Sequence, residues 1–280
     1  MATVCSLSLH HKLPFLFPLF PIPNRRKQRE QRIEDERMQP QWPETAEPPA
    51  LAADDVHVWS VRLDAPRDPW TSLMSILATD ERERAARFRL DEPRRRFVVA
   101  RATLRRLLGK YLQLTPDEVV FRYSANGKPH VQELSSSSDL QFNLAHSGEL
   151  ALVAVTRGCE VGVDVERLRD VHHWQEIAER FFHSRELNEI TASPIADRLA
   201  AFIRCWAGKE AVLKSLGAGV TRPLDFFVGQ SVPLDGEWIE VLIAGKPERY
   251  RLYPLAPAAG YIGAVACLNS DRHPRCFTVA

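Results

Sequence analysis

Apolar positions from Val56 onward fall into two periods, one of two residues and one near 3.6. Val56-His57-Val58-Trp59-Ser60-Val61 is β-branched and aromatic and predicts a strand. Two helical stretches follow, residues 70–90 and 92–112. The second carries Phe97, Ala100, Leu104, Leu107, Leu108 and Tyr111 on one stripe, with Asp91 as its expected cap and Pro93 in its first turn. Short strands are expected at 119–123, 130–132, 140–144 and 150–156, punctuated by Asn126-Gly127, the Ser135–Ser138 run and Ser147-Gly148.

A second cycle begins after Arg157-Gly158-Cys159-Glu160, which reads as a hinge. Residues 161–165 predict a strand, 174–182 and 195–216 helices, and 226–228, 238–243, 248–255 and 261–267 strands. Each half runs strand, helices, strands, so an α+β chain of two similar halves, 56–160 and 161–280, is expected, with a cleft at their junction.

Residues 1–55 follow neither period, and we expect a disordered extension there. An apolar stretch over 13–22 is interrupted by Pro14, Pro18 and Pro21 and is followed, not preceded, by Asn24-Arg25-Arg26-Lys27, the reverse of a secretory signal. About 10 such residues fall short of the ~20 that a membrane span needs. The rest is charged and then proline-rich (Pro40, Pro43, Pro48, Pro49). The lack of acidic residues before Glu30 is a feature of plastid transit peptides, and Met38 offers an alternative start.

Composition narrows the classes further. Of 280 residues, 37 are Lys or Arg and 36 Asp or Glu, so no global charge excess argues for nucleic acid or an anionic membrane as main partner. Five cysteines without a CxxC pair argue against a zinc site or disulfide scaffold and for a reducing, cytoplasmic setting. The local exception is Arg82 to Arg106, with ten arginines against three acids. Much of that run lies on the polar faces of amphipathic helices, where a solvated surface explains it.

The chemistry concentrates near the hinge. In Gly162-Val163-Asp164-Val165-Glu166 a strand's period puts both carboxylates on one face and both valines on the other. Paired carboxylates repel unless a cation lies between them, and hard oxygen donors suit Mg²⁺ or Mn²⁺. An exposed acidic edge strand is the plain alternative. On the helix ending near 216, Trp206, Glu210 and Lys214 recur at i, i+4 and i+8 and share one face. Glu210 adds a third carboxylate, and Lys214 offers a cation to phosphate oxygen. A metal-dependent nuclease would use similar residues, but its acid-x-Lys pair sits on a strand, whereas Glu210 and Lys214 are helically spaced. An inert nucleic-acid-binding module has no use for three carboxylates.

Four motifs in this order resemble those of the Sfp-type 4'-phosphopantetheinyl transferases: Gly127-Lys128-Pro129, Phe142-Asn143-Leu144-Ala145-His146-Ser147, Gly162 to Glu166, and Trp206 to Lys214. The resemblance spans about 56–267. It implies two α/β halves related by a pseudo-two-fold axis, with the active site between them. It also implies Mg²⁺-dependent transfer of the phosphopantetheine arm of coenzyme A to a serine of an apo acyl or peptidyl carrier protein, leaving adenosine 3',5'-bisphosphate. Nucleic acid and membrane are not expected partners, and a monomer is expected.

Residue by residue, the resemblance assigns Asp164, Glu166 and Glu210 to the metal, with Glu210 or a metal-bound water also deprotonating the serine. It assigns Lys214 to the departing phosphate and His146 to the pyrophosphate, Lys128 and Pro129 to the loop beside adenine, and Arg84 and Arg96 to the 3'-phosphate. Glu81 stands where the family has a lysine. The carrier is expected over the segment after Glu166, at Leu168, Val171, Trp174 and Phe181-Phe182.

Overall fold

A computed structural model describes residues 42–64, 69–132, 139–217, 236–243 and 246–280. The strand expected at 226–228 lies outside the described residues.

The chain begins with β1 (Glu44–Thr45) and β2 (Val56–Arg62), then α1 (Thr79–Ala86) and α2 (Asp91–Leu112). The hairpin β3 (Phe121–Tyr123) and β4 (Pro129–Val131) precedes β5 (Leu140–Ser147), β6 (Leu150–Arg157) and β7 (Val161–Arg167). Helices α3 (Trp174–Phe181), α4 (Ser184–Ala192) and α5 (Arg198–Leu216) follow, then β8 (Glu237–Ile243), β9 (Lys246–Leu255), β10 (Tyr261–Leu268) and β11 (Pro274–Val279). One sheet runs β1-β11-β2-β6-β5 and the other β7-β10-β9-β8.

Alternation along the strands sets the layers. Trp59, Val61, Val153 and Val155 pack with Val98, Leu104 and Leu108 of α2. Their neighbours Val58, Leu152 and Ala154 turn the other way and meet Val161, Val163, Val165 and Val265 of the second sheet. The far face of that sheet, through Ile239, Tyr250, Leu252 and Ala264, packs on Ala207, Ala211 and Val212 of α5. The order is therefore helix, sheet, sheet, helix, and strands β2, β6 and β7 are buried on both faces.

Several elements depart from the local pattern. The helix expected over 70–90 is instead a short 3₁₀ turn, Ser72–Ile76, then an extended Leu77 and Ala78, then α1. The break is held by Glu81, whose Oε2 accepts from the Ala78 backbone N–H at 2.9 Å and starts a new helix there. Asp91 is the first helical residue and makes no cap; the N-cap is Leu90, and Asp91 pairs with Arg94 at 3.4 Å. Helix α4, only nine residues, and strand β11 are not evident in the sequence.

Strand β11 runs parallel to β2, Cys276 opposite Val58, so the end of the chain completes the first sheet. Residues 42–55, expected to lie in a disordered extension, pack on the fold. Glu44 and Thr45 pair in parallel with Thr278 and Val279, and Trp42 and Leu51 lie against the two cores. That β1 partner is more than 200 residues away, which is why composition alone reads the segment as a tail.

One buried polar cluster on the first sheet leads to a pH prediction. The Tyr111 hydroxyl lies 2.8 Å from His57 Nδ1 and accepts from Trp59 Nε1 at 2.9 Å, with Asp55 at 3.5 Å from His57 Nε2. Burial lowers the His57 pKa below its usual 6.5, against the opposing pull of Asp55. The unfolded chain then binds the extra proton more readily, so stability is complete at neutral pH and falls as pH drops below about 6.5. His57→Gln, which cannot titrate, is expected to flatten the fall in thermal midpoint between pH 7.5 and 5.5. Parallel curves for the two proteins would refute the assignment.

Candidate active site

The site is built where β7 meets α5. Gly162 lets them touch, since a Cβ there would stand 2.0 Å from the Ala211 carbonyl oxygen and 2.3 Å from the Ser215 nitrogen. With no side chain in the way, the helix lies directly on the strand, and the residues that follow Gly162 on the same face, Asp164 and Glu166, look onto α5. Val163 and Val165 go into the core between the sheets, as alternation requires.

On the other side, β5 and β7 lie beside one another without belonging to one sheet. Side chains of β5 supply the missing rungs. Asn143 Oδ1 accepts from the Val163 N–H at 3.0 Å, and Ser147 Oγ accepts from the Arg167 N–H at 3.1 Å. The Ser147 hydroxyl donates to Glu166 Oε2 at 2.8 Å. Both belong to the Phe142–Ser147 motif, and the alternation of β5 was the signal that puts them on the face opposite His146.

Helix α5 brings its charged stripe to the same place. Lys214 Nζ donates to Asp164 Oδ1 at 2.5 Å. Asp164, Glu166 and Glu210 are 3%, 5% and 3% exposed, so three carboxylates share a nearly dry site with one ammonium. Burial, with the Asp164 charge adding, pushes Glu166 up to about 8. Burial pushes Glu210 up to about 7 against the opposing Lys214, and it raises Asp164 against the same lysine. Burial pulls the Lys214 pKa down, but Asp164 and Glu210 outweigh it and the net shift is upward. A bound cation would favour the charged form of each of these carboxylates.

Two buried oxygens, Asp164 Oδ2 and Glu210 Oε1, have no hydrogen-bond partner among the described residues. Their hard donor chemistry fits a divalent cation such as Mg²⁺. Among the described residues no three His, Cys, Asp or Glu side chains stand together closely enough to hold an ion as placed, and Asp164 pairs with Lys214.

The other candidates are set around this centre. His146 is exposed and, by the alternation of β5, lies on the opposite face of the strand from Ser147. Arg96 donates to Glu92 at 2.5 Å and lies 3.8 Å from Glu149 at the β5–β6 turn, whereas Arg84 stacks over Phe97 at 5.2 Å. Lys128 and Pro129 line a cavity of about 480 Å³ with Arg122, Gln141 and Glu160, but the Lys128 ammonium turns toward α5. Trp206, on the Glu210 stripe, is core against Phe182 and Phe202, not a cleft wall. Leu168 is exposed, Trp174 and Phe181 are half-buried, and Val171 and Phe182 are buried in the core.

Two of the ten arginines in the run, Arg101 and Arg105, are spent inside the protein. Arg101 and Arg105 donate through Nε to the two oxygens of Glu81 at 2.7 and 2.6 Å, and Arg105 also holds the carbonyls of Pro116 and Val119. Glu81 is thus the anion of a buried triad. A second buried pair, Lys209 with Glu186 at 2.9 Å, fastens α5 to α4. Neither is visible in sequence, because the partners lie 20 or more residues apart and on different helices.

Among the described residues no helix is long and apolar enough to cross a membrane. Residues 63–158 match the family model "4'-phosphopantetheinyl transferase, N-terminal", and residues 160–266 match "4'-phosphopantetheinyl transferase superfamily". The chain is 40% identical over 172 residues to the 4'-phosphopantetheinyl transferase HetI of Nostoc sp., covering 61% of this chain and 73% of that protein. It is 28% identical over 219 residues to the 4'-phosphopantetheinyl transferase Sfp of Bacillus subtilis, covering 76% of this chain and 93% of that one. The two models meet at the turn that joins β6 to β7, and with the Nostoc relative 40% identical and covered over 73% of its length the chain belongs to the 4'-phosphopantetheinyl transferase superfamily.

Proposed function

We propose that this transferase moves the 4'-phosphopantetheine arm of coenzyme A onto a serine of an apo acyl or peptidyl carrier protein, with Mg²⁺ as its cofactor. The observation that carries the reading is the buried meeting of Asp164, Glu166 and Glu210 with Lys214 between the two sheets. When bound, Mg²⁺ would be held by those three carboxylates and would neutralise charge on the pyrophosphate.

In the reaction the carrier serine oxygen forms a bond to the phosphorus next to pantetheine, and the bond from that phosphorus to the bridging oxygen breaks. Glu210 takes the serine proton. Lys214 stands one helical turn on and balances charge on the departing adenosine 3',5'-bisphosphate. His146 serves the pyrophosphate, Arg84 and Arg96 the 3'-phosphate, and the Lys128-Pro129 loop the adenine. The carrier approaches over Leu168, Trp174 and Phe181, the members of the expected apolar set that retain exposed surface. A reducing, cytoplasmic setting, argued from five cysteines without a CxxC pair, is part of the same reading.

Incubating the protein with coenzyme A, Mg²⁺ and a panel of apo-carriers, and reading intact mass, tests the proposal. At least one carrier is expected to gain the mass of the arm on its serine. No gain across the panel, together with steeply salt-dependent DNA binding, would return the site to the nuclease reading.

A further inference from the structure

The Lys128 side chain makes contacts that a ligand-binding role does not need. Its Nζ donates to Glu160 Oε2 at 2.5 Å, to the Ser215 carbonyl at 2.7 Å and toward the Val161 carbonyl at 3.4 Å. Its stem lies over Gly217, where a Cβ would meet Lys128 Cβ and Cδ at 3.2 Å. The residue is itself held from behind: its carbonyl accepts from the Ser124 N–H at 2.9 Å and its N–H donates to Ser124 Oγ at 3.1 Å.

Ser215 belongs to the last turn of α5, whose carbonyls have no partner within the helix, and a cation there also answers the negative end of the helix dipole. Ser215 directly follows Lys214, and Val161 lies three residues before Asp164. Lys128 therefore joins, at their base, the two segments that carry the Asp164–Lys214 ion pair, and it does so from a loop that lines the 480 Å³ cavity.

We propose that Lys128 is a positioning residue: a latch from the first half of the fold that sets the depth of the α5 C-terminus against β7, and with it Lys214 and Glu210 against Asp164. The inference rests on the proposed transfer reaction for its kinetic consequence but not for its structural one. It assigns the ammonium to α5, leaving the donor nucleotide to the backbone and to Pro129.

The test uses the full chain with Lys128→Met, which keeps the stem over Gly217 and removes the charge, and Lys128→Arg, which keeps the charge. Hydrogen exchange without any ligand is read at the amides of 211–217. Exchange is expected to rise about tenfold in the Met variant and to stay within about twofold in the Arg variant. A small displacement of reacting groups costs roughly 10–10²-fold in rate. Lys128→Met is therefore expected to lower kcat for carrier modification on that scale with the KM for coenzyme A within about twofold, and Lys128→Arg to restore most of it. A raised KM with unchanged kcat would overturn the latch in favour of direct donor contact. Unchanged exchange in the Met variant would overturn it as a mere surface pair. If the wild-type protein modifies no carrier, the transfer reading fails, and exchange alone still decides the latch.

Discussion

Replacing Glu210 by glutamine is expected to lower turnover at least ~10²-fold, the scale of a lost general base, and to leave the fold standing. The reason lies in the charge balance of the site. Asp164, Glu166 and Glu210 face one ammonium, and Glu210 Oε1 has no hydrogen-bond partner among the described residues. Glutamine keeps the shape and removes a carboxylate whose charged form burial disfavours, so the thermal midpoint without metal should hold or rise. A residue kept for stability would do the opposite. Mg²⁺ should raise the midpoint of the wild-type protein and do so less for Glu210→Gln, because binding to the native state alone stabilises it. Near-normal turnover, or loss of turnover that tracks loss of fold, would remove Glu210 from the chemistry. Lys214→Ala differs in kind. It strands Asp164 as a buried charge, so stability and turnover should both fall, turnover more than coenzyme A affinity, since charge on the leaving phosphate matters most in the transition state.

Glu81→Ala is expected to destabilise the protein by about 3–5 kcal/mol, the cost of breaking a buried ion pair from one side. Arg105 is almost fully buried and Arg101 nearly so, and each spends its Nε on Glu81. Their remaining contacts, to the Pro116 and Val119 carbonyls and over the Phe121 ring at 4.5 Å for Arg101, do not neutralise them. Urea or thermal unfolding reads the loss directly. Glu81→Gln keeps an acceptor for one arginine and should fall between. Glu81→Lys restores the residue that the family resemblance expects at this position, yet it places a third cation in the triad and should be the most damaging of the three. If Glu81→Lys instead left stability intact and tightened coenzyme A binding, the position would belong to the phosphate site and not to the core.

The motifs that carry the chemistry were legible because each is local. Gly162 to Glu166 needs only a strand's period of two to put its carboxylates on one face. The spacing of Glu210 and Lys214 needs only a helix to put them on one stripe. The order of the four motifs along the chain likewise pointed to the family before any contact was known. Tertiary structure alone decided what those residues meet. Strands β1 and β11 belong to the first sheet through partners at the opposite end of the chain, which neither period nor composition encodes. Asn143 and Ser147 serve β7 because two sheet edges come side by side. The charge misread as solvated surface, Arg101 and Arg105 on Glu81, was misread for one physical reason. A charged side chain looks solvated in sequence, and only the packing of elements distant along the chain shows which ones are dry and paired.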